Sequence, residues 1–438
     1  MRYFFIPLFV LFITLFISCS NESNNSIDND LGQNNKPNIL LIIADDMGLD
    51  ASPGYTIGNI KPNMPNLQSM INSGITFNNL WSNPTCTPTR SSIITGKYGF
   101  RTGVTQVGDV LSTSEVSLQT YLDNQNSGYS SAVIGKWHIG NNDANHPTNM
   151  GVNYYAGLLS GGVQSYTNWN LLENGNTTTS TEYTTTKFTD LAIDWVDEQT
   201  QPWFLWLAYN APHTPFHLPP NELHYQGNLP TDQASIDANP LAYYMAMLEA
   251  MDTEIGNLLS SMSQEGRDNT VIIFIGDNGT PNQVAQEYAS SRAKGTVYQG
   301  GINVPLIISG KGVSRINTTE NALINTTDLF TTIANIAGVG PSELNDSKSF
   351  ESLLSTSNSS TRDYVYAEIG NDFGGSNKAI RSATHKYILF DDGSEALYNL
   401  SNNSFEAPNL LNANQLPLNI TNSAAKDELV AKLIEIQQ

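Results

Sequence analysis

The chain has 438 residues, with 20 Lys and Arg against 41 Asp and Glu and a formal net charge of −21 at pH 7. That length supplies one large core and a smaller second one, and the acidic balance argues against nucleic acid and anionic membrane surfaces as main partners. A polyanionic ligand would be repelled at long range, so any anion site must be a local cluster of Lys and Arg readable in the sequence.

In chain order, Arg2 precedes an apolar run over residues 4–17, followed by Ser18 and Cys19. This has the charged and apolar regions of a secretory signal and is short for a bilayer-spanning helix. The expectation is a lipoprotein-type signal peptide over residues 1–18, cleaved before Cys19 with lipid on its sulfur, although Phe16 stands where such signals usually carry Leu. Residues 19–36 read as a polar, Asn-rich tether without apolar periodicity. The expected location is therefore outside the cytoplasm, lipid-anchored in the periplasm or at the cell surface, with the anchor as the sole membrane contact. Cys19 and Cys86 are the two cysteines. With Cys19 assigned to lipid, Cys86 has no disulfide partner and is either a free thiol or a modified residue.

From Pro37 onward, apolar runs end in polar clusters. Asn38–Ala44 is nearly continuous in apolar residues, as a strand buried on both faces should be, and it stops at Asp45-Asp46-Met47-Gly48. A strand over residues 75–80 leads to residues 86–96, Cys-Thr-Pro-Thr-Arg-Ser-Ser-Ile-Ile-Thr-Gly. Pro88 suits a first helical turn, which puts Cys86 at a helix N-terminus. Outward-pointing N–H groups there, with Arg90 beside them, would stabilise an anion, an oxygen nucleophile or a thiolate. Residues 131–134 end at Gly135-Lys136-Trp137-His138, residues 203–209 at Asn210-Ala211-Pro212-His213, and residues 270–275 at Gly276-Asp277-Asn278-Gly279.

Residues 240–262 carry Tyr244, Met245, Leu248, Met251, Ile255, Leu258, Leu259 and Met262 at helical spacing, a core-facing stripe. Residues 304–309 form a further strand after Lys294-Gly-Thr-Val-Tyr-Gln-Gly-Gly, and residues 328–338 a closing helix. The low-complexity residues 177–186 read as exposed loop. Beyond Pro341 come short alternating strands over residues 363–368, 378–382 and 387–391, one near Leu397, and a helix over residues 424–436 with Leu429, Leu433 and Ile436 on one face.

The predicted fold is α/β, a large mostly parallel sheet flanked by helices over residues 37–340, with a smaller antiparallel sheet plus helix over residues 341–438. In such sheets ligands sit beyond the carboxyl ends of the strands, so the four polar clusters should converge. Asp45, Asp46, Asp277 and Asn278 offer hard oxygen ligands, suited to Ca²⁺ or, less well, Mg²⁺. Either acidic pair alone would be read as turn capping. Two pairs at one edge, with a lone cysteine and the cations Arg90, Lys136 and Lys294, favour a metal. His138 and His213 add titratable partners, and the set could neutralise an anionic ester and protonate its leaving oxygen.

These motifs in this order resemble the type I sulfatases of the alkaline phosphatase superfamily: a paired aspartate, Cys-x-Pro-x-Arg with Thr-Gly, Gly-Lys-Trp-His, Pro-His, Asp-Asn-Gly and Lys-Gly-Thr-x-Tyr. The resemblance implies that Cys86 becomes formylglycine (3-oxoalanine) through a dedicated maturation enzyme, and that its hydrate attacks sulfur. Asp45, Asp46, Asp277 and Asn278, with an oxygen of residue 86, would bind Ca²⁺. Arg90 would hold the hydrate and His138 would take its proton. Lys136, His213 and Lys294 would contact the sulfate, with His213 or Lys294 protonating the leaving group.

Gln299 and Asn303 depart from the pattern, since relatives usually have Glu and Arg there. The expected activity is sulfate removal from a sulfated carbohydrate, with an algal polysaccharide such as ulvan or its oligosaccharides first and glycosaminoglycan fragments second. Specificity would lie in residues 140–176 and 215–239, where His146, His217 and His224, together with Arg101, are candidate sugar contacts. The alternatives are a phosphomonoester or phosphonate hydrolase of the same superfamily and a noncatalytic polysaccharide-binding lipoprotein.

Overall fold

In the computed structural model, which describes residues 1–3, 36–357, 361–371, 375–401 and 405–438, the apolar runs become adjacent strands. The strands are β1 (Asn38–Ala44), β2 (Gly74–Trp81), β3 (Ser130–Lys136), β4 (Tyr154–Leu158), β5 (Trp169–Glu173), β6 (Asn176–Ser180), β7 (Trp203–Ala208), β8 (Thr270–Gly276), β9 (Asn303–Gly310), β10 (Thr318–Glu320) and β11 (Ile324–Asn325). They form one sheet in the order β10-β2-β9-β8-β1-β7-β3-β4-β5-β6, with β11 also on β2. Successive side chains of a strand face opposite sides. Accordingly Leu40, Ile42 and Ala44 enter a core beneath the helices Pro65–Ser73, Thr184–Asp197 and Pro240–Ser261. Ile39, Leu41 and Ile43 enter a second core under Cys86–Thr95 and Asp328–Ile336.

The centre, β8-β1-β7-β3-β4, is parallel throughout. β9 runs antiparallel to both β8 and β2. β2 therefore points the same way as the centre, and the start of β9 lies at the rim where the central strands end. That single reversal brings the helix carrying Cys86 and the loop carrying Lys294 to one edge.

The low-complexity Thr stretch corrects the sequence reading. Residues 176–180 are β6, hairpin-paired with β5, and the helix Thr184–Asp197 follows. The hairpin turns at Asn174 and Gly175, with φ of 44° and 84°, the left-handed pair such turns require.

After a small hairpin, β12 (Glu343–Leu344) with β13 (Ser347–Lys348), the second sheet is the antiparallel meander β14 (Val365–Ile369), β15 (Asn377–Arg381), β16 (His385–Leu389) and β17 (Glu395–Asn399). One of its faces packs Val365, Ala367, Ile388 and Tyr398 against Trp81, Val297 and Ile302 of the large unit. Its other face is covered by Leu429 and Leu433 of the helix Ile420–Ile436. Residues 4–18 of the expected signal, most of the tether and the lipid-bearing Cys19 lie outside the described residues. Among the described residues no helix is long and apolar enough to cross a membrane.

Candidate active site

The strand ends are tied to one another before any side chain is considered. Asp277 N donates to Ala44 O, and Asp45 N donates to Ala211 O, both at 3.1 Å. Asp46 and His138 have φ of 71° and 59°, a left-handed conformation costly for residues other than glycine and typical of functional loops. Cys86 opens the helix Cys86–Thr95, all of whose residues are buried.

The predicted nucleophile, metal ligands and sulfate contacts, Cys86, Asp45, Asp46, Asp277, Asn278, Arg90, Lys136, His138, His213 and Lys294, come together at this rim. Arg90 donates to Asp277 Oδ2 through Nε (3.1 Å) and Nη2 (2.8 Å), and through Nη1 to Lys136 O (2.8 Å). Lys136 Nζ meets Asp45 Oδ2 and Lys294 Nζ meets Asp46 Oδ2, each at 2.5 Å. His213 Nε2 stands 3.9 Å from Asp46 Oδ2. Cys86 Sγ lies 3.1 Å from His138 Nδ1.

Burial, the proximity of Lys136 and then that of Arg90 push the His138 imidazolium down to about 2, so the ring is neutral. Burial pushes the Asp45 carboxyl upward, against the pull of Lys136. Burial also opposes ionisation of Asp46, but Lys294, His213 and Lys136 outweigh it and hold that carboxyl below the usual range.

The donor set fits a hard divalent cation. Ligand atoms of Asp45, Cys86 and Asp277 lie within 4.8 Å of one another, as do those of Asp45, Asp46 and His213. Asp45 Oδ1 and Asn278 Oδ1 are buried without a hydrogen-bond partner. The Asn278 amide is oriented by its Nδ2, which donates to Asp46 Oδ1 at 2.8 Å. Orphaned buried oxygens are expensive, and a cation would satisfy both.

Sequence reading missed two tyrosine braces and a pair of glycines. The single hydroxyl proton of Tyr166 lies between two carbonyl acceptors, Asn210 O (2.7 Å) and His213 O (2.6 Å), and Tyr244, read only as core, donates to Asp46 O at 2.8 Å. No local signal marks either tyrosine. Gly161 and Gly162 lie over the two histidines: a Cβ at Gly161 would fall 2.4 Å from His138 Cε1, and one at Gly162 would fall 3.1 Å from His213 Nδ1.

The candidate sugar contacts fare differently. His146 is buried, accepting from Trp137 Nε1 at 3.0 Å with its other nitrogen against Leu111 O, and His224 is buried as well. Arg101 is occupied by Asp346 and Ile436 O. His217 packs 4.1 Å from Tyr166 between ring centroids, beside the site. At the two departures from the family pattern, Gln299 Oε1 accepts from Trp81 Nε1 (3.0 Å) and Asn303 Nδ2 donates to Asn78 O (3.1 Å).

A mouse protein named Arylsulfatase J is 30% identical over 329 residues, covering 69% of this chain and 52% of its own length. A protein named Sulfatase from Formosa agariphila is 27% identical over 508 residues, covering 93% of this chain and 89% of its own. The crystal structure of Ps i-CgsB in complex with k-i-k-neocarrahexaose superposes with a TM-score of 0.76 and 25% identity, covering 92% of this chain and 94% of that one. The chain thus spans about half the length of the first of these relatives. The family model described as Sulfatase matches residues 37–339, and with the rim geometry above the chain belongs to the sulfatase family.

Proposed function

We propose that this chain is a sulfuric ester hydrolase that removes sulfate from a carbohydrate, with residue 86 as nucleophile after oxidation of Cys86 to formylglycine. The observation that carries the reading is the position of Cys86: its Sγ stands where a nucleophilic oxygen would be, 3.1 Å from a neutral His138 and within reach of two carboxylates. Asp45, Asp46, Asp277 and Asn278 would hold the metal, Ca²⁺ in preference to Mg²⁺ because every donor is a hard oxygen on loops that need not be octahedral. Bound there, it would supply Lewis-acid neutralisation of charge on oxygen.

The remaining work falls to side chains. Three carboxylates are paired with three cations at the rim, so without a metal the site has no net positive charge. Adding a divalent cation leaves a surplus of positive charge facing the sulfate. Lys136, His213 and Lys294 would bind its oxygens, and Lys294 or His213 would donate a proton to the leaving sugar oxygen. His138, uncharged, can accept the proton of the residue-86 hydroxyl. Arg90 fixes the Asp277 carboxylate and the Lys136 carbonyl, and contributes positive charge close to residue 86.

The saccharide reading is supported by the likeness to a sulfatase-like fold crystallised with an oligosaccharide. An algal polysaccharide, or its oligosaccharides, is the substrate class proposed. The enzyme is proposed to be exported and lipid-anchored through Cys19, with residues 37–340 as the catalytic unit. The test is sulfate release from aryl sulfate against phosphate release from aryl phosphate, by protein produced with a formylglycine-generating enzyme. A phosphate preference overturns the assignment, as does an unmodified thiol at residue 86 in the fully active native protein, read by mass spectrometry.

A further inference from the structure

Two clefts flank the Gly161-Gly162 loop. The first opens on His138 and is walled by Asp109, Asn141, Asn142 and Ser160. The second begins at Gly162, beside His213, and is walled by Gln164, Asn168, Asn170 and Thr179. The first therefore includes the histidine beside the proposed nucleophile, and the second starts at the glycine that covers the histidine assigned to the sulfate.

Their chemistry contrasts with that of the rim between them. Among the described residues no Lys or Arg lines either cleft. The polar groups of the walls are mostly amides and hydroxyls, set among the apolar side chains of Val107, Leu159, Val163 and Trp169, with one carboxylate, Asp109, whose Oδ2 accepts from Thr105 N (2.8 Å) and Gln106 N (3.0 Å). The exposed amides Asn141, Asn142, Gln164, Asn168 and Asn170 can each donate and accept, which matches the vicinal hydroxyls of a sugar ring.

We propose that these clefts are saccharide subsites for uncharged rings: the substrate carries the sulfate that is cleaved but neither a second sulfate nor a carboxylate on the rings seated here. The proposal rests on the sulfatase reading and narrows it. A second anion would lose water without gaining a cationic partner, would face Asp109, and would enter a protein of net charge −21. The discrimination should be about tenfold or more per extra charge at low ionic strength and should shrink as salt screens it.

The test is kcat/KM for sulfate release from a neutral disaccharide bearing one sulfate, compared with the same disaccharide bearing a second sulfate or with a uronic acid replacing the neutral sugar. The matured wild-type protein is assayed at low and high salt, with p-nitrophenyl sulfate as a control ester. Preference for the singly charged substrate, reduced about tenfold by Gln164→Lys or Asn142→Lys, supports the proposal. Equal or better turnover of the doubly charged substrates, or a ratio unmoved in both lysine variants, overturns it while leaving the sulfatase reading intact if the control ester is hydrolysed. No turnover of any sulfate ester, the control included, removes the sulfatase reading and this proposal with it.

Discussion

Replacing Lys386 by Met would show how the second sheet supports the site. Lys386 lies on β16, and its buried ammonium donates to Val297 O (2.6 Å) and Glu406 Oε1 (2.5 Å). The other Glu406 oxygen accepts from Gln299 N at 2.9 Å. Arg292 donates to Glu406 O at 2.9 Å and lies 4.6 Å from the centre of the Tyr298 ring. Lys294 sits between Arg292 and Val297, so the loop that delivers its ammonium to Asp46 is held on both sides by the C-terminal region. Removing one partner of a buried pair strands the other, and Lys386→Met should cost about 3–5 kcal/mol of stability.

The double variant Lys386→Met/Glu406→Gln should recover part of that loss, because the ion pair is removed together and the amide oxygen still accepts from Gln299 N, while buried Arg381 loses the opposite charge of Glu406. It does not restore the pull on Val297 O. If that pull positions Lys294, the double variant should be folded yet slower by up to about 100-fold in kcat/KM, the scale expected for a displacement of about 1 Å. Urea unfolding and aryl sulfate hydrolysis give the two readouts, each repeated with Lys294→Ala. The reasoning predicts that the kinetic loss disappears once Lys294 is absent. A loss of full size in the Lys294→Ala background, or wild-type kcat/KM in the folded double variant, would refute it.

Cys86→Ala should abolish turnover with the circular dichroism spectrum unchanged, and His138→Ala should lower kcat by about 10²–10⁴; substantial activity in either contradicts the roles given. Gly161→Ala should lower kcat by displacing the His138 ring, since the new Cβ falls 2.4 Å from Cε1; a wild-type kcat would mean the ring is not confined there. Chelation should remove activity and lower the melting temperature, and Ca²⁺ at a hundred times its dissociation constant should restore about 2.7 kcal/mol; a chelated protein that is equally stable and active would exclude a metal. Burial pulls the Lys386 ammonium down to about 8 despite Glu406. Its folded pKa is below its unfolded one, so the unfolded chain binds the extra proton and stability rises with pH from about 8 to 10.5, by about 1.4 kcal/mol per unit at most. The stability difference between wild type and the double variant, followed by urea melts, should show that slope, and a flat difference would contradict the shift.

Much of the fold was legible because strands buried on both faces are near-continuous apolar runs that end abruptly. Asn38–Ala44 stops at Asp45, and Thr270–Gly276 stops at Asp277. Strand direction was not legible: Asn303–Gly310 has an apolar middle, residues 304–308, and carries no mark of which way it runs. That direction decides whether Lys294, just upstream, reaches the rim. The hairpin of β5 and β6 was lost in a Thr-rich stretch, although Asn174-Gly175 announces its turn. The pairing of each carboxylate with a particular cation was beyond reach, because it depends on register between strands far apart in sequence. The supports from Tyr166 and Tyr244 were hidden for a related reason, since an aromatic side chain that fills the core and one whose hydroxyl braces a catalytic loop leave the same apolar pattern.

The pairings themselves carry the last step. Arg90, Lys136 and Lys294 are all engaged by carboxylates, at 2.8, 2.5 and 2.5 Å, in a protein whose overall charge repels anions. A phosphate- or sulfate-binding pocket built from cations alone would leave them free to face the ligand. Here the same residue types form closed pairs while Asp45 Oδ1 and Asn278 Oδ1 stay unsatisfied, which is the arrangement expected if a metal supplies the missing positive charge and releases the lysines toward the substrate. Anion affinity should therefore depend on the cation, so sulfate should protect the Ca²⁺-loaded protein from thermal unfolding and leave the chelated protein unaffected. Equal protection of both forms would mean that the lysines bind anions unaided, and the metal would lose its place in the argument.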